Sequence, residues 1–153
     1  MALVVGDLLT DPDAQSFISL ADAVDYLQAE GAGAGPETPL GAWLAAGDDV
    51  RESSLVRASR WLASSFRFKP LTDAGMLQVG RVAARLAAES MGKSLFEGTD
   101  TTSIVQSERV DVIAVTYAAS STRADAAGMA WPWLRPMLDG LVLSRGSMPV
   151  IRV

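Results

Sequence analysis

Ser107-Glu108-Arg109-Val110-Asp111-Val112-Ile113-Ala114-Val115-Thr116-Tyr117-Ala118 is the long β-like run in a chain that otherwise reads as helix. Its alternation changes phase partway. Val110 and Val112 share one face, and Ile113, Val115 and Tyr117 then share a face two residues apart. Strand side chains alternate with period 2, so a phase slip marks a bulge or a tight turn. The run is therefore expected to form two very short strands bending around Asp111-Val112. Such an arm is too small to be a core, so the core must come from the helical remainder, and the arm is well placed to touch another subunit.

On the N-terminal side, residues 1–18 read as an extended arm, with Val4-Val5 placed to pair and Asp11-Pro12-Asp13 carrying turn chemistry. Ser19 reads as an N-cap, with Asp22 at capping-box spacing. Leu20, Ala23, Val24 and Leu27 then fall on one helical face, and Gly31 is expected to end the helix as a C′ residue. Gly31–Pro36 is a loop and not a phosphate cradle, because it lacks the Lys-Ser/Thr of a P-loop and the βα context. Trp43-Leu44 is placed to start a short turn anchoring that loop.

A second helix is expected from Asp48 or Asp49, with Glu52 at box spacing and a stripe of Leu55, Val56, Ser59, Leu62, Ala63 and Phe66. The residue before Pro70 disfavours helix and closes this segment. A third helix, from Asp73 or Ala74 to Leu95, carries Val79, Val82, Ala83, Leu86, Ala87 and Met91, with small residues that permit close approach. It is expected to be central. Beyond the arm, Trp131–Leu138 reads as a short fourth helix, with Pro132 in its first turn and Pro136 shortening or kinking it. The tail Ser147–Val153 reads as extended and apolar. The expected architecture is mainly α: a small bundle of three main helices plus a short fourth, a short β arm and extended termini. It forms one domain over residues 1–153, with a helical core at 19–95, an arm at 104–118, a short helix at 130–140 and a tail at 144–153.

The chain has 153 residues, 49% hydrophobic and 20% charged, which suits a folded domain. It contains no cysteine and no histidine. Disulfides, thiolate sites and a Ser-His-Asp triad are thereby excluded, and the most frequent general base and metal ligand is missing. No apolar run approaches the roughly 20 residues of a membrane span, and no secretory signal is legible. The chain is therefore expected to be cytosolic when made and to have no membrane partner. Net charge is −5, unevenly spread. Asp7, Asp11, Asp13, Asp22, Asp25, Glu30, Glu37, Asp48 and Asp49 all precede the first Lys or Arg, and all 13 basic residues lie beyond residue 50. Such asymmetry can steer association, and overall acidity argues against broad nucleic-acid binding.

Two constellations carry possible chemistry. The pairs Asp11/Asp13 and Asp48/Asp49 could hold a cation or do acid–base work, but both occupy turn or helix-start positions where Asp has a structural reason to be. No catalytic, cofactor or metal residues are assigned, and no enzymatic activity is expected. Arg51, Arg57, Arg60, Arg67 and Lys69, interleaved with Trp61, Phe66 and Phe68, form a basic and aromatic run that could hold a single strand, although Trp61 and Phe66 are better explained as core.

Several segments also carry a resemblance. Met1–Val5, Ser16–Ala23, Ala58–Leu62, Phe66–Lys69 and Ser107–Tyr117 resemble, in order and spacing, bacteriophage head–tail connector (adaptor) proteins of the "DnaT-like" type. That family usually has Gly-Pro where this chain has Asp111-Val112, so the arm is read either as a hairpin or as one bent strand. The resemblance implies a structural protein of the virion neck, forming a ring, expected as a dodecamer, below the portal protein. Double-stranded DNA would pass through its lumen without sequence-specific contact. It also implies portal binding by strand addition through Met148, Pro149, Val150, Ile151, Arg152 and Val153. Contacts with a neighbouring subunit or a stopper protein are assigned to Glu108, Arg109, Val110, Asp111, Val112, Ile113, Val115 and Tyr117, together with Trp131 and Trp133. The alternative is a single-stranded DNA-binding protein of phage replication, acting through Arg57, Arg60, Arg67 and Lys69 with steep salt dependence.

Overall fold

The structure, a computed structural model, describes residues 3–91, 93, 95, 107–110, 113–116 and 131–143. Among them the chain forms helices α1 (Leu20–Glu30), α2 (Pro39–Ala45), α3 (Asp48–Ser65), α4 (Asp73–Glu89) and α5 (Leu134–Leu138), and strands β1 (Ser107–Val110) and β2 (Ile113–Thr116). The expected mainly helical bundle is what the chain adopts. The central helix is α4, which packs against α1, α2, α3 and α5. Sequence explains why. Gly75, Gly80, Ala83, Ala84, Ala87 and Ala88 are buried along with Val79, Val82 and Leu86, so α4 is covered on most of its circumference and its small residues admit close neighbours. The N-terminal arm crosses α4 at Gly80, where a Cβ would stand 3.0 Å from both the Ile18 Cβ and the Phe17 carbonyl oxygen.

Ser19 caps α1 as its spacing predicts: its Oγ accepts from the Asp22 amide at 3.1 Å and donates to Asp22 Oδ2 at 2.6 Å. Ser19→Ala should cost about 1 kcal/mol. Thermal unfolding should then fall by roughly 2–4 °C for a chain of this size, and an unchanged melt would remove the cap from the stability account. Gly31 does end α1, but for a reason other than the left-handed C′ geometry expected. Its φ is −102°, and the space beside it is limited, since a Cβ would meet Leu40 Cδ2 and stand 3.0 Å from the Leu27 carbonyl oxygen. The loop from Gly31 is thus clamped under α2, which the sequence showed only as a turn at Trp43-Leu44. Thr38 caps α2, with its Oγ1 accepting from the Gly41 amide at 3.1 Å, and Pro39 occupies the first turn.

The start of α3 also differs from the expected box. Gly47 is the N-cap with no side-chain bond, and Asp48 instead pairs with Arg51 at 2.9 Å. The buried stripe of α3 is Ser54, Leu55, Ala58, Ser59, Trp61 and Leu62, rotated from the predicted one, with Val56 and Ala63 only half-buried. The rotation follows from Trp61, whose bulk draws its side of the helix inward. Helix α4 stops at Ser90 and not at Leu95. The Ser90 backbone leaves helical geometry there (φ −91°, ψ 7°), just ahead of Gly92 in the sequence. Helix α5 starts at Leu134, beyond Pro132, so Pro136 falls in its first turn, where a missing N–H costs no helical bond.

The β-like run is a hairpin. β1 and β2 pair antiparallel with Ser107 opposite Thr116 and Val110 opposite Ile113. Of the two readings of the arm, this is the hairpin and not the single bent strand. Asp111, Val112 and Tyr117 lie outside the described residues, as does the tail at 144–153. Among the described residues no helix is long and apolar enough to cross a membrane.

Candidate nucleic-acid interface

The outward face of α3 follows from its inward one. With Leu55, Ala58, Trp61 and Leu62 turned to the core, Ser53, Arg57, Arg60 and Ser64 fall on the solvent side at spacings of four, three and four, and all four are exposed. Arg57 and Arg60 are helical neighbours, about 5–6 Å apart at Cβ. The row continues past the helix end. Residues 66–69 are extended, so Phe66 and Phe68 point inward while Arg67 and Lys69 point out. A short antiparallel pairing fixes this segment. Phe68 bridges Val142, the Lys69 amide donates to the Leu141 carbonyl at 2.9 Å, and the Leu143 amide donates to the Arg67 carbonyl at 2.7 Å.

From Ser53 to Thr72 the sequence holds four cations and no Asp or Glu. Arg57, Arg60 and Arg67 make no ion pair among the described residues. Lys69 Nζ donates to the Gly140 carbonyl at 3.0 Å, which leaves its other protons for a ligand. The structure removes Arg51 from the set that sequence had grouped: its guanidinium pairs with Asp48 and lies over the Trp43 ring at 5.9 Å.

Behind this face the helix is held rigidly. Trp43 Nε1 donates to Ser54 Oγ at 2.7 Å, and Ser54 Oγ donates to the Arg51 carbonyl at 2.7 Å. Buried Ser16 and Ser59 lie 3.2 Å apart; Ser16 Oγ gives its proton to the Ile18 carbonyl at 2.9 Å, so Ser59 is the donor between them. The N-terminal arm is thereby pinned to α3.

A second group of cations and aromatics joins α1, α4 and the approach to α5. Arg81 lies over Tyr26 at 5.6 Å and Arg85 over Trp133 at 4.5 Å. Arg85 Nε also donates to Glu89 Oε1 at 3.0 Å and Arg85 Nη1 lies 3.8 Å from Glu30 Oε2, while Trp133 Nε1 donates to Glu89 Oε2 at 2.8 Å. Tyr26 donates to Glu30 Oε1 at 2.8 Å. Partial burial, then the Glu30 carboxylate, pushes its phenol up to about 12. Here Arg85 is paired with two carboxylates and Arg81 with a ring alone, so two arginines and two glutamates make a charge-balanced clamp between elements. No feature of the sequence announces it, since Tyr26 and Trp133 are far apart in the chain.

The other predicted site residues fall as follows. Trp133 is in this clamp, and Trp131 packs edge-on to Trp61 with centroids 6.0 Å apart. Glu108, Arg109, Val110, Ile113 and Val115 are on the hairpin strands. Met148 to Val153 lie outside the described residues. The carboxylate pairs behave as turn and helix-start residues: Asp11 Oδ1 accepts from the Asp13 amide at 3.0 Å, and Asp48 holds Arg51. Among the described residues no group of three potential ligands could hold a metal.

Residues 1–71 match the model of a family described as "Putative DnaT-like ssDNA binding protein". No curated protein and no solved structure matches the chain. The family match overturns the head–tail adaptor reading. The dodecameric ring, the portal and stopper partners, the virion neck and the duplex in the lumen all rested on the resemblance, whereas the matched family is described by single-stranded DNA binding. The reason for the error is physical. Many of the residues that carried the resemblance are structural: Phe17, Ile18, Ala23, Ala58, Trp61, Leu62, Phe66 and Phe68 are core, and Ser19 is a cap. Such residues specify a fold, and a fold does not specify a partner. The matched stretch ends at Leu71, so it contains α1, α2, α3 and the whole cationic row, and what this chain resembles over that stretch is a single-stranded DNA-binding family.

Proposed function

We propose that this chain binds single-stranded DNA along the outer face of α3 and the extended segment after it, with Arg57, Arg60, Arg67 and Lys69 meeting backbone phosphates. The observation that carries the reading is the row itself: four exposed cations on one continuous stretch free of acidic residues, inside the segment that matches a single-stranded DNA-binding family. The chain's overall acidity does not oppose this: seven of the nine early carboxylates precede α3, Asp48 and Asp49 sit in its first turn ahead of the row, and short-range contacts are governed by local charge. The role is binding without turnover.

Fluorescence anisotropy with labelled oligo-dT across a salt series tests the reading. Four phosphate contacts on a single strand predict a log Kd against log salt slope of magnitude about 2.8. A flat salt response, or no binding at low salt, would remove the proposal.

A further inference from the structure

The composition of the row says which part of a strand it can take. Sequence-tolerant binders usually pair a cationic groove with aromatic side chains on which bases stack. Here the aromatics of the stretch are unavailable for that. Trp61, Phe66 and Phe68 are only 2%, 9% and 9% exposed. Their rings are used on one another: Trp61 stands edge-on to Phe66 at 6.1 Å and to Trp131 at 6.0 Å, while Phe68 meets Phe66 at 6.3 Å and Phe17 at 6.4 Å. The half-exposed rings of Tyr26 and Trp133 lie under Arg81 and Arg85 in the charge-balanced clamp.

Groups that read base edges are scarce as well. From Ser53 to Thr72 there is no Asn, Gln, Asp or Glu. The hydroxyls that share the face are turned inward, with Ser53 Oγ donating to the Val50 carbonyl and Ser64 Oγ to the Trp61 carbonyl, each at 3.0 Å. What the face offers outward is guanidinium and ammonium groups, which match phosphate.

Building on the single-strand reading above, we propose that this face recognises the sugar–phosphate backbone alone, through about four phosphates, one for each cation of the row. It leaves the bases unstacked and unread. The ligand class is then any flexible single strand: DNA or RNA, of any sequence, with or without bases.

The test compares three strands of equal length with the full chain by anisotropy at fixed salt: oligo-dT, oligo-rU, and a DNA strand of abasic (tetrahydrofuran) residues. The expected result is dissociation constants within about threefold of one another and a common salt slope. A stacked base contributes enough that losing several would weaken the abasic strand by more than about tenfold. Such a loss, with oligo-dT still bound, would overturn backbone-only recognition and leave the single-strand reading standing. Failure of oligo-dT itself to bind would overturn both.

Discussion

Reversing two charges on the outer face of α3, Arg57→Glu with Arg60→Glu, should weaken oligo-dT binding by roughly 30- to 100-fold at low salt. A hydrogen bond to a charged group contributes about 1.5–3 kcal/mol, and exposure and screening reduce that. Removing two such bonds and putting repulsion in their place therefore amounts to on the order of 2–3 kcal/mol. The salt slope should fall in magnitude from about 2.8 to about 1.4, because only two of the four cations still meet phosphate. Stability should be almost untouched, within about 0.5 kcal/mol, since both side chains are exposed and make no ion pair among the described residues. Arg81→Glu supplies the control. Arg81 is also an exposed cation, but it lies over Tyr26 on another face. With both variants compared again at 0.1 M salt, it should change affinity by no more than about twofold, because the Debye length is then about 10 Å and charges out of contact with the strand are largely screened. If this variant cost as much per charge as the α3 pair, binding would track net charge and not a face.

The largest effect on stability is expected at Trp43. Its ring is fully buried in α2, its Nε1 donates to Ser54 Oγ at 2.7 Å, and the Arg51 guanidinium lies over it. Trp43→Ala opens a cavity where α2 meets its neighbours and strips Ser54 of a donor. Losses of about 3–5 kcal/mol are usual for such truncations. For a chain of this length that corresponds to roughly 6–20 °C in the unfolding midpoint. Trp43→Phe keeps most of the packing and loses only the hydrogen bond, so about 1–3 kcal/mol is expected for it. Circular dichroism melts of both variants decide the matter. Equal losses would mean the hydrogen bond dominates and the ring contributes little. A Trp43→Ala melt unchanged to within 2–3 °C, below the shift of about 1 kcal/mol, would contradict the seating of α2 altogether.

The helical frame was legible because its signals are local or periodic. Ser19 with Asp22 announces a helix start whatever it packs on, and the Val79–Ala87 stripe marks α4 before any neighbour is known. What failed to show depended on distance in sequence. The true stripe of α3 is set by where Trp61 finds Phe66 and Trp131, and α2, though its Thr38 cap and Pro39 are local signals, is seated by the bond from Trp43 to Ser54. Gly31 was placed correctly for the wrong reason, since the crowding comes from Leu40 and not from backbone handedness. At the candidate site, the four cations of the row could be read off the sequence. Their separation from Arg51 could not, because it rests on an ion pair and a ring contact. The adaptor reading failed at a different level. It inferred a partner from residues whose work is to be buried.

The position of α4 bears on how the protein can be dissected. The segment that matches a known family stops at Leu71, two residues short of the helix that α1, α2 and α3 all lean on. Excised at that boundary, the piece would keep every cation of the row yet expose Leu27, Leu55, Ala58 and Leu62 to water, and Lys69 would lose its anchor at Gly140. Sequence kinship and folding unit therefore have different borders in this chain. A minimal binding fragment has to be cut by the second border, retaining α4 and the returning stretch to Leu143.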